Sequence, residues 1–165
     1  MMPPDIDKII SGAVRQALAR KKGTQTYASV TLAAAQTLIE KVFAEAERMG
    51  VPVIAAVADA GANTVAVARM DGAITASYDI AVNKAYTSAA LRMSTADLAR
   101  LAAPGGDLYG IQHQGGGKIV VFGGGEPLCA EGATAGSIGV SGGTLQQDTH
   151  LAAFAKKYWE DNICR

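Results

Sequence analysis

Two histidines, two cysteines and a crowd of glycines are the residues of this chain whose types and placement could do chemistry. Fourteen of the 19 glycines fall between Gly105 and Gly143. The densest runs are Gly110-Ile-Gln-His-Gln-Gly-Gly-Gly-Lys118 and Phe122-Gly-Gly-Gly-Glu-Pro127. Glycine at that density lets backbone approach a flat or bulky ligand without a Cβ clash, or lines up N–H groups as an anion nest. The same residues also serve tight turns that need a positive φ. Gly115, Gly116, Gly123 and Gly124 are therefore candidate ligand contacts. His113 sits inside the loop and His150 lies further along; each imidazole is either an iron ligand or proton shuttle, or an ordinary surface side chain. Cys129 is either a soft ligand for a haem iron or a small apolar filler. Ser141-Gly-Gly-Thr144, with Gly142 and Gly143 ahead of a capped helix, offers an anion site for a carboxylate, or a plain strand-to-helix turn. Lys84, Asp59 and Glu126 are the candidate catalytic groups. Lys84 stands among small residues, where it can reach a ligand carboxylate or lie on a solvated face. Asp59 falls in a turn, where aspartate is expected for backbone reasons.

Several function classes are excluded by what is missing. Fifteen basic and fifteen acidic residues balance, and no basic stripe for nucleic acid is present. Cys129 and Cys164 make neither a CxxC pair nor a zinc spacing, and Cys164 lies where the C-terminus is expected to fray. No GxGxxG opens a helix after a strand, and no GxxxxGK[ST] occurs. The start, Met-Met-Pro-Pro-Asp, carries no secretory signal, and no apolar run reaches the roughly 18 residues of a membrane span. A reducing, cytoplasmic setting is expected, with neither nucleic acid nor membrane as partner.

These residues need a scaffold, and the hydrophobic pattern supplies one. At 49% hydrophobic content but only nine aromatic residues, the chain calls for a single core filled by Ala, Val, Ile and Leu. An amphipathic helix is expected over residues 5–21, stopped by Gly23. A second runs from Thr31 to Met49, with Leu32, Ala35, Leu38, Ile39, Val42, Phe43 and Ala46 on its apolar stripe and Gly50 as its stop. Val53–Ala58 and Thr64–Met70 read as antiparallel strands joined by a short turn. Helices follow over Tyr78–Met93 and from Ser94 or Thr95 through Leu101. Lys118–Phe122, Pro127–Ala130 and Ala133–Val140 read as three further strands. Thr144-Leu-Gln-Gln147 is a capping box that opens a terminal helix. Antiparallel strands segregated from covering helices make an α+β domain.

Six motifs then occur in order: Val57-Ala-Asp-Ala-Gly61, Arg69-Met-Asp-Gly-Ala73, Asn83-Lys-Ala85, Tyr109-Gly-Ile-Gln112, Phe122-Gly-Gly-Gly-Glu-Pro-Leu128 and Gly136-Ser-Ile-Gly-Val-Ser-Gly-Gly143. Together they resemble the GlcG/HbpS family, the haem-degrading domain family, and in particular the PduO C-terminal domain and OrfY-type proteins of diol and glycerol dehydratase operons. The resemblance implies a profilin-like α/β/α layering around a five-stranded antiparallel sheet, and homo-oligomers that are dimers or larger rings. It divides the chain into a helical extension and linker, residues 1–28, and a GlcG/HbpS-like domain, residues 29–165. It also implies a tetrapyrrole-binding accessory protein of cobalamin-dependent dehydratase metabolism, taking haem or a corrinoid; the residues themselves offer His113 or Cys129 as an iron ligand. PduO proteins carry adenosyl transfer in a separate N-terminal domain that this chain lacks, so that activity is not implied. Residues 5–21 resemble a microcompartment encapsulation peptide that docks its apolar stripe on a shell or cargo protein. The alternatives are an enzyme acting on a small oxygenated metabolite and a non-catalytic assembly component.

Overall fold

The computed structural model describes residues 29–164, so the helix expected over residues 5–21 lies outside the described residues. The first element, α1 (Leu32–Met49), begins where the Thr31 hydroxyl accepts from the Ala34 N–H and ends at Gly50, which adopts a left-handed φ of 68°. Its Ala35, Leu38, Ile39, Val42 and Ala46 face the core, while Leu32 at the N-terminal rim stays 55% exposed. Strands β1 (Ile54–Asp59) and β2 (Thr64–Arg69) follow as an antiparallel pair. Helices α2 (Ser77–Leu91) and α3 (Thr95–Leu101) come next, α3 being capped by Ser94. Two short turns, Ile111–His113 and Gly115–Gly117, lead to β3 (Gly125–Ala130) and β4 (Ala133–Ser141). The Thr144–Gln147 capping box opens α4 (Leu145–Tyr158), which runs into a final turn over Trp159–Ile163.

The sheet has four antiparallel strands in the order β2-β1-β4-β3, not five. The segment that does not join is Lys118–Phe122. Its backbone is bonded by a side chain instead: the Val120 N–H donates to the Thr87 hydroxyl (3.0 Å), which donates in turn to the carbonyls of Asn83 and Lys118. The Gly125 N–H at the outer edge of β3 donates to the Thr95 hydroxyl (2.9 Å) rather than to a neighbouring strand. Two threonines thus take the ladder positions that hydrophobicity assigns to a fifth strand.

Alternation along β1 sorts the core into two layers. Val53, Ala55 and Val57 face α1 and α4 and join Leu128, Ile138, Val140 and Leu151. Ile54, Ala56 and Ala58 face α2 and meet Ala81, Ala85 and Ala89. The result is an α/β/α sandwich. On β4 the residues facing α2 are small, because the helix lies almost on the strand. Ser137 donates to the Ala85 carbonyl at 2.6 Å, and a Cβ on Gly139 would stand 2.2 Å from the Ala81 carbonyl oxygen.

Cys164 is docked rather than frayed. The Trp159 indole N–H and the Cys164 thiol both donate to the Cys129 carbonyl, at 2.7 and 3.1 Å, and Cys164 packs against the core. Among the described residues no helix is long and apolar enough to cross a membrane.

Candidate functional site

Lys84 does not lie on a solvated face. Among the described residues it is the largest side chain buried to 0% exposure. From α2 its ammonium reaches past Gly124 to α4 on the far side of the sheet, and donates to Asp148 Oδ2 and the Val140 carbonyl, each at 2.8 Å. The Phe122 ring covers it at 5.0 Å. Gly124, at φ 111°, makes room: a Cβ there would sit 2.6 Å from Lys84 Nζ. Burial pushes the Lys84 pKa down, and the hydrogen bond and charge of Asp148 only partly oppose it. The folded value therefore lies below the ordinary lysine value of 10.5. Between that lowered value and 10.5 the unfolded chain holds a proton that the folded chain sheds, so stability rises with pH across this window. In urea titrations as pH is raised toward 10.5, the wild-type chain should gain stability relative to a Lys84→Met/Asp148→Asn variant. A flat difference would contradict this assignment.

The other candidate catalytic groups have separate commitments. Asp59 Oδ1 accepts from the N–H groups of Gly61 and Asn63, at 2.8 Å each, and so shapes the β1–β2 turn. Glu126 pairs with Lys156 of α4 at 3.2 Å. Lys84, Asp59 and Glu126 are thus three distinct contacts, and no described interaction joins them.

The glycines divide in the same way. Gly123 and Gly124 are buried against Thr149, Lys84 and Asp148, with no space for a ligand. Gly115, Gly116 and Gly117 are exposed turn residues with positive φ. His113 stands exposed on the turn before them, and Gln112 beside it keeps a buried Oε1 with no hydrogen-bond partner among the described residues. In the Ser141–Thr144 turn, the Gly143 N–H already donates to Asp148 Oδ1 (2.9 Å) and the Thr144 N–H to Gln147 Oε1 (2.8 Å). A ligand carboxylate there would have to displace both and lie beside the Asp148 carboxylate. His150, on α4, is exposed 3.4 Å from Glu45 Oε1.

Cys129 has the open surroundings that these positions lack. It is exposed, next to a register shift in the β3–β4 ladder, and it lines a cleft of about 540 Å³. Ala60, Arg92, Glu131, Gly132, Ala133 and Thr134 form the rest of the lining. Glu131 and Gly132 are the two central residues of the hairpin, both at positive φ as a two-residue turn of that hand requires. Arg92 ends α2 at φ 56°, an uncommon conformation for a residue with a Cβ. Sequence reasoning missed Arg92, because nothing in its neighbourhood distinguishes it from a solvated helix-terminal charge. A second cavity, of about 350 Å³, lies on the other side of the Asp59–Asn63 turn. Among the described residues no group of three or more His, Cys, Asp or Glu side chains is placed to hold a metal ion.

Comparison with known proteins places this geometry in a family. The model of a family described as haem degrading protein HbpS-like matches residues 30–156. A 15.0 kDa protein of Citrobacter freundii from the dhaT–dhaS intergenic region is 45% identical over 132 residues, covering 80% of this chain and 93% of that protein. The crystal structure of Klebsiella pneumoniae ORFY superposes with a TM-score of 0.81 at 37% identity, covering 84% of this chain and 96% of that one. The structure of a PduOC:haem complex superposes at 0.75 with 32% identity, covering 78% and 94%. Agreement of the family model, a near full-length relative and two solved folds over the same sandwich makes this chain a member of the HbpS-like family.

Proposed function

We propose that this protein is a haem-binding accessory protein of cobalamin-dependent dehydratase metabolism, and that it takes the tetrapyrrole in the cleft beside the β3–β4 hairpin. The observation that carries the reading is the exposed Cys129 thiol in a cleft shared with the Arg92 guanidinium. That donor set fits haem: a thiolate is a haem-iron ligand, and a guanidinium matches a propionate. Small residues, Ala60, Gly132 and Ala133, leave the walls low enough for a flat ligand. The haem in the related PduOC complex supports the choice of tetrapyrrole. Bound there, haem would supply an iron able to take a further ligand or an electron. The work of the chain is to hold it: Cys129 ligates, Arg92 neutralises a carboxylate, and the hairpin turn shapes one wall.

The cleft is open to solvent on one side in a single chain, which is where a second copy would complete the enclosure. The homo-oligomer belongs to the same proposal. So does docking of residues 5–21 on a microcompartment partner, which rests on the resemblance of that segment alone.

Ligand identity separates Cys129 from His113. Cys129→Ser should weaken haem binding about tenfold or more and remove the thiolate signature from the absorption spectrum, while His113→Ala should leave both unchanged. The reverse pattern would move the iron to the glycine loop and overturn the cleft assignment.

A further inference from the structure

The second cavity, at the Asp59–Asn63 turn, has Ala62, Asn63, Thr64, Asn83, Tyr86 and Lys118 in its lining. The Asn83 amide and the Thr64 and Tyr86 hydroxyls have no hydrogen-bond partner among the described residues. The Lys118 ammonium has no acidic partner there and instead stands 5.6 Å from the centre of the Tyr86 ring. Its backbone is fixed all the same, since the Lys118 carbonyl accepts from Thr87 on α2. No acidic side chain lines the cavity; Asp59, behind the lining residue Asn63, has its charge taken up by the N–H groups of Gly61 and Asn63 and by the Asn63 amide at 3.2 Å from each carboxylate oxygen. Ala62, in the wall, adopts φ 63° although it is not glycine. A residue with a Cβ is held there only when its surroundings require it.

With the Asn63 amide spent on Asp59, one cation, the Asn83 amide and two hydroxyls around a concave space of about 350 Å³ form a recognisable donor set. The ammonium suits a carboxylate. The amide and hydroxyls suit hydroxyl groups, for which a site built from hydrogen-bonding side chains discriminates far better than an apolar one. We propose that this cavity binds the carboxylate of a small hydroxy acid. The same carboxylate chemistry is offered by a haem propionate, and the experiment separates the two sources. The proposal does not rest on the haem reading, because its first arm uses haem-free protein.

The test is calorimetric titration of the haem-free chain with sodium glycerate and sodium lactate, with propane-1,2-diol as the uncharged control. Lys118→Gln and Asn83→Leu are run beside the wild type; both positions line the cavity away from the core, and circular dichroism checks the fold. Saturable binding of a hydroxy acid, weakened about tenfold by Lys118→Gln and absent for the diol, is expected. If the acids do not bind, but Lys118→Gln weakens haem binding and leaves haem dimethyl ester binding unchanged, the carboxylate site serves a propionate. Diol binding as tight as acid binding would overturn the proposal. So would a Lys118→Gln variant that alters neither acid nor haem affinity.

Discussion

Lys84→Met should cost about 3–5 kcal/mol of folding stability, a large share of the roughly 5–15 kcal/mol that holds a domain of this size. The loss comes less from the missing ammonium than from what it leaves behind. Asp148 would remain 5% exposed with its charge uncompensated, and the Val140 carbonyl would lose a donor. Urea denaturation should show this as a lower midpoint with an unchanged slope. The cause is separable with Lys84→Met/Asp148→Asn. That pair removes the stranded charge and keeps an acceptor for the Gly143 N–H, so it should be more stable than Lys84→Met alone. Equal stability of the two variants would mean that the buried charge is not what destabilises the single variant. A buried ion pair is often replaceable by apolar residues at little cost, so its worth here is geometric. Lys84 is the side chain that reaches from the α2 layer to α4 across the end of the sheet.

Gly139→Ala is expected to be nearly as damaging, at about 1–3 kcal/mol or more. The added methyl would fall 2.2 Å from the Ala81 carbonyl oxygen and 2.5 Å from the Ala85 nitrogen. Backbone on both sides of that contact cannot rotate away as a flexible side chain would. The helix must move off β4, and Lys84, whose own Cβ lies 3.0 Å from the new atom, would move with it. Gly116→Ala is the internal control, because nothing lies within 4 Å of its Cβ position, although its φ of 70° still carries backbone strain. Thermal unfolding should lower the midpoint much further for Gly139→Ala than for Gly116→Ala. Equal shifts would mean that the close approach of α2 to β4 is not what Gly139 secures.

Helix starts and stops were legible in the sequence because they are local. The start of α1 at Thr31, its stop at Gly50 and the Thr144 capping box are each read within a few residues, and each occurs as expected. The fifth strand failed because Ile119-Val-Val-Phe122 has strand hydrophobicity but its backbone is claimed by Thr87, about thirty residues away. Lys84 and Asp148 failed as a pair for the same reason. Sixty-four residues separate them, and only the folded Gly124 gap brings them together. The glycine cluster was the strongest chemical signal in the chain, and most of its buried members turn out to clear space for helices. Cys129 lies exposed on an edge strand and lines the open cleft, a placement that strand alternation alone does not settle.

The central claim is that haem occupies the cleft beside Cys129. Its most direct test is the absorption spectrum of the full chain during titration with micromolar haem. A shifted Soret band that saturates at one haem per chain is expected, with the shift lost in Cys129→Ser. No Soret shift at micromolar haem, or an unaltered shift in the serine variant, would contradict it.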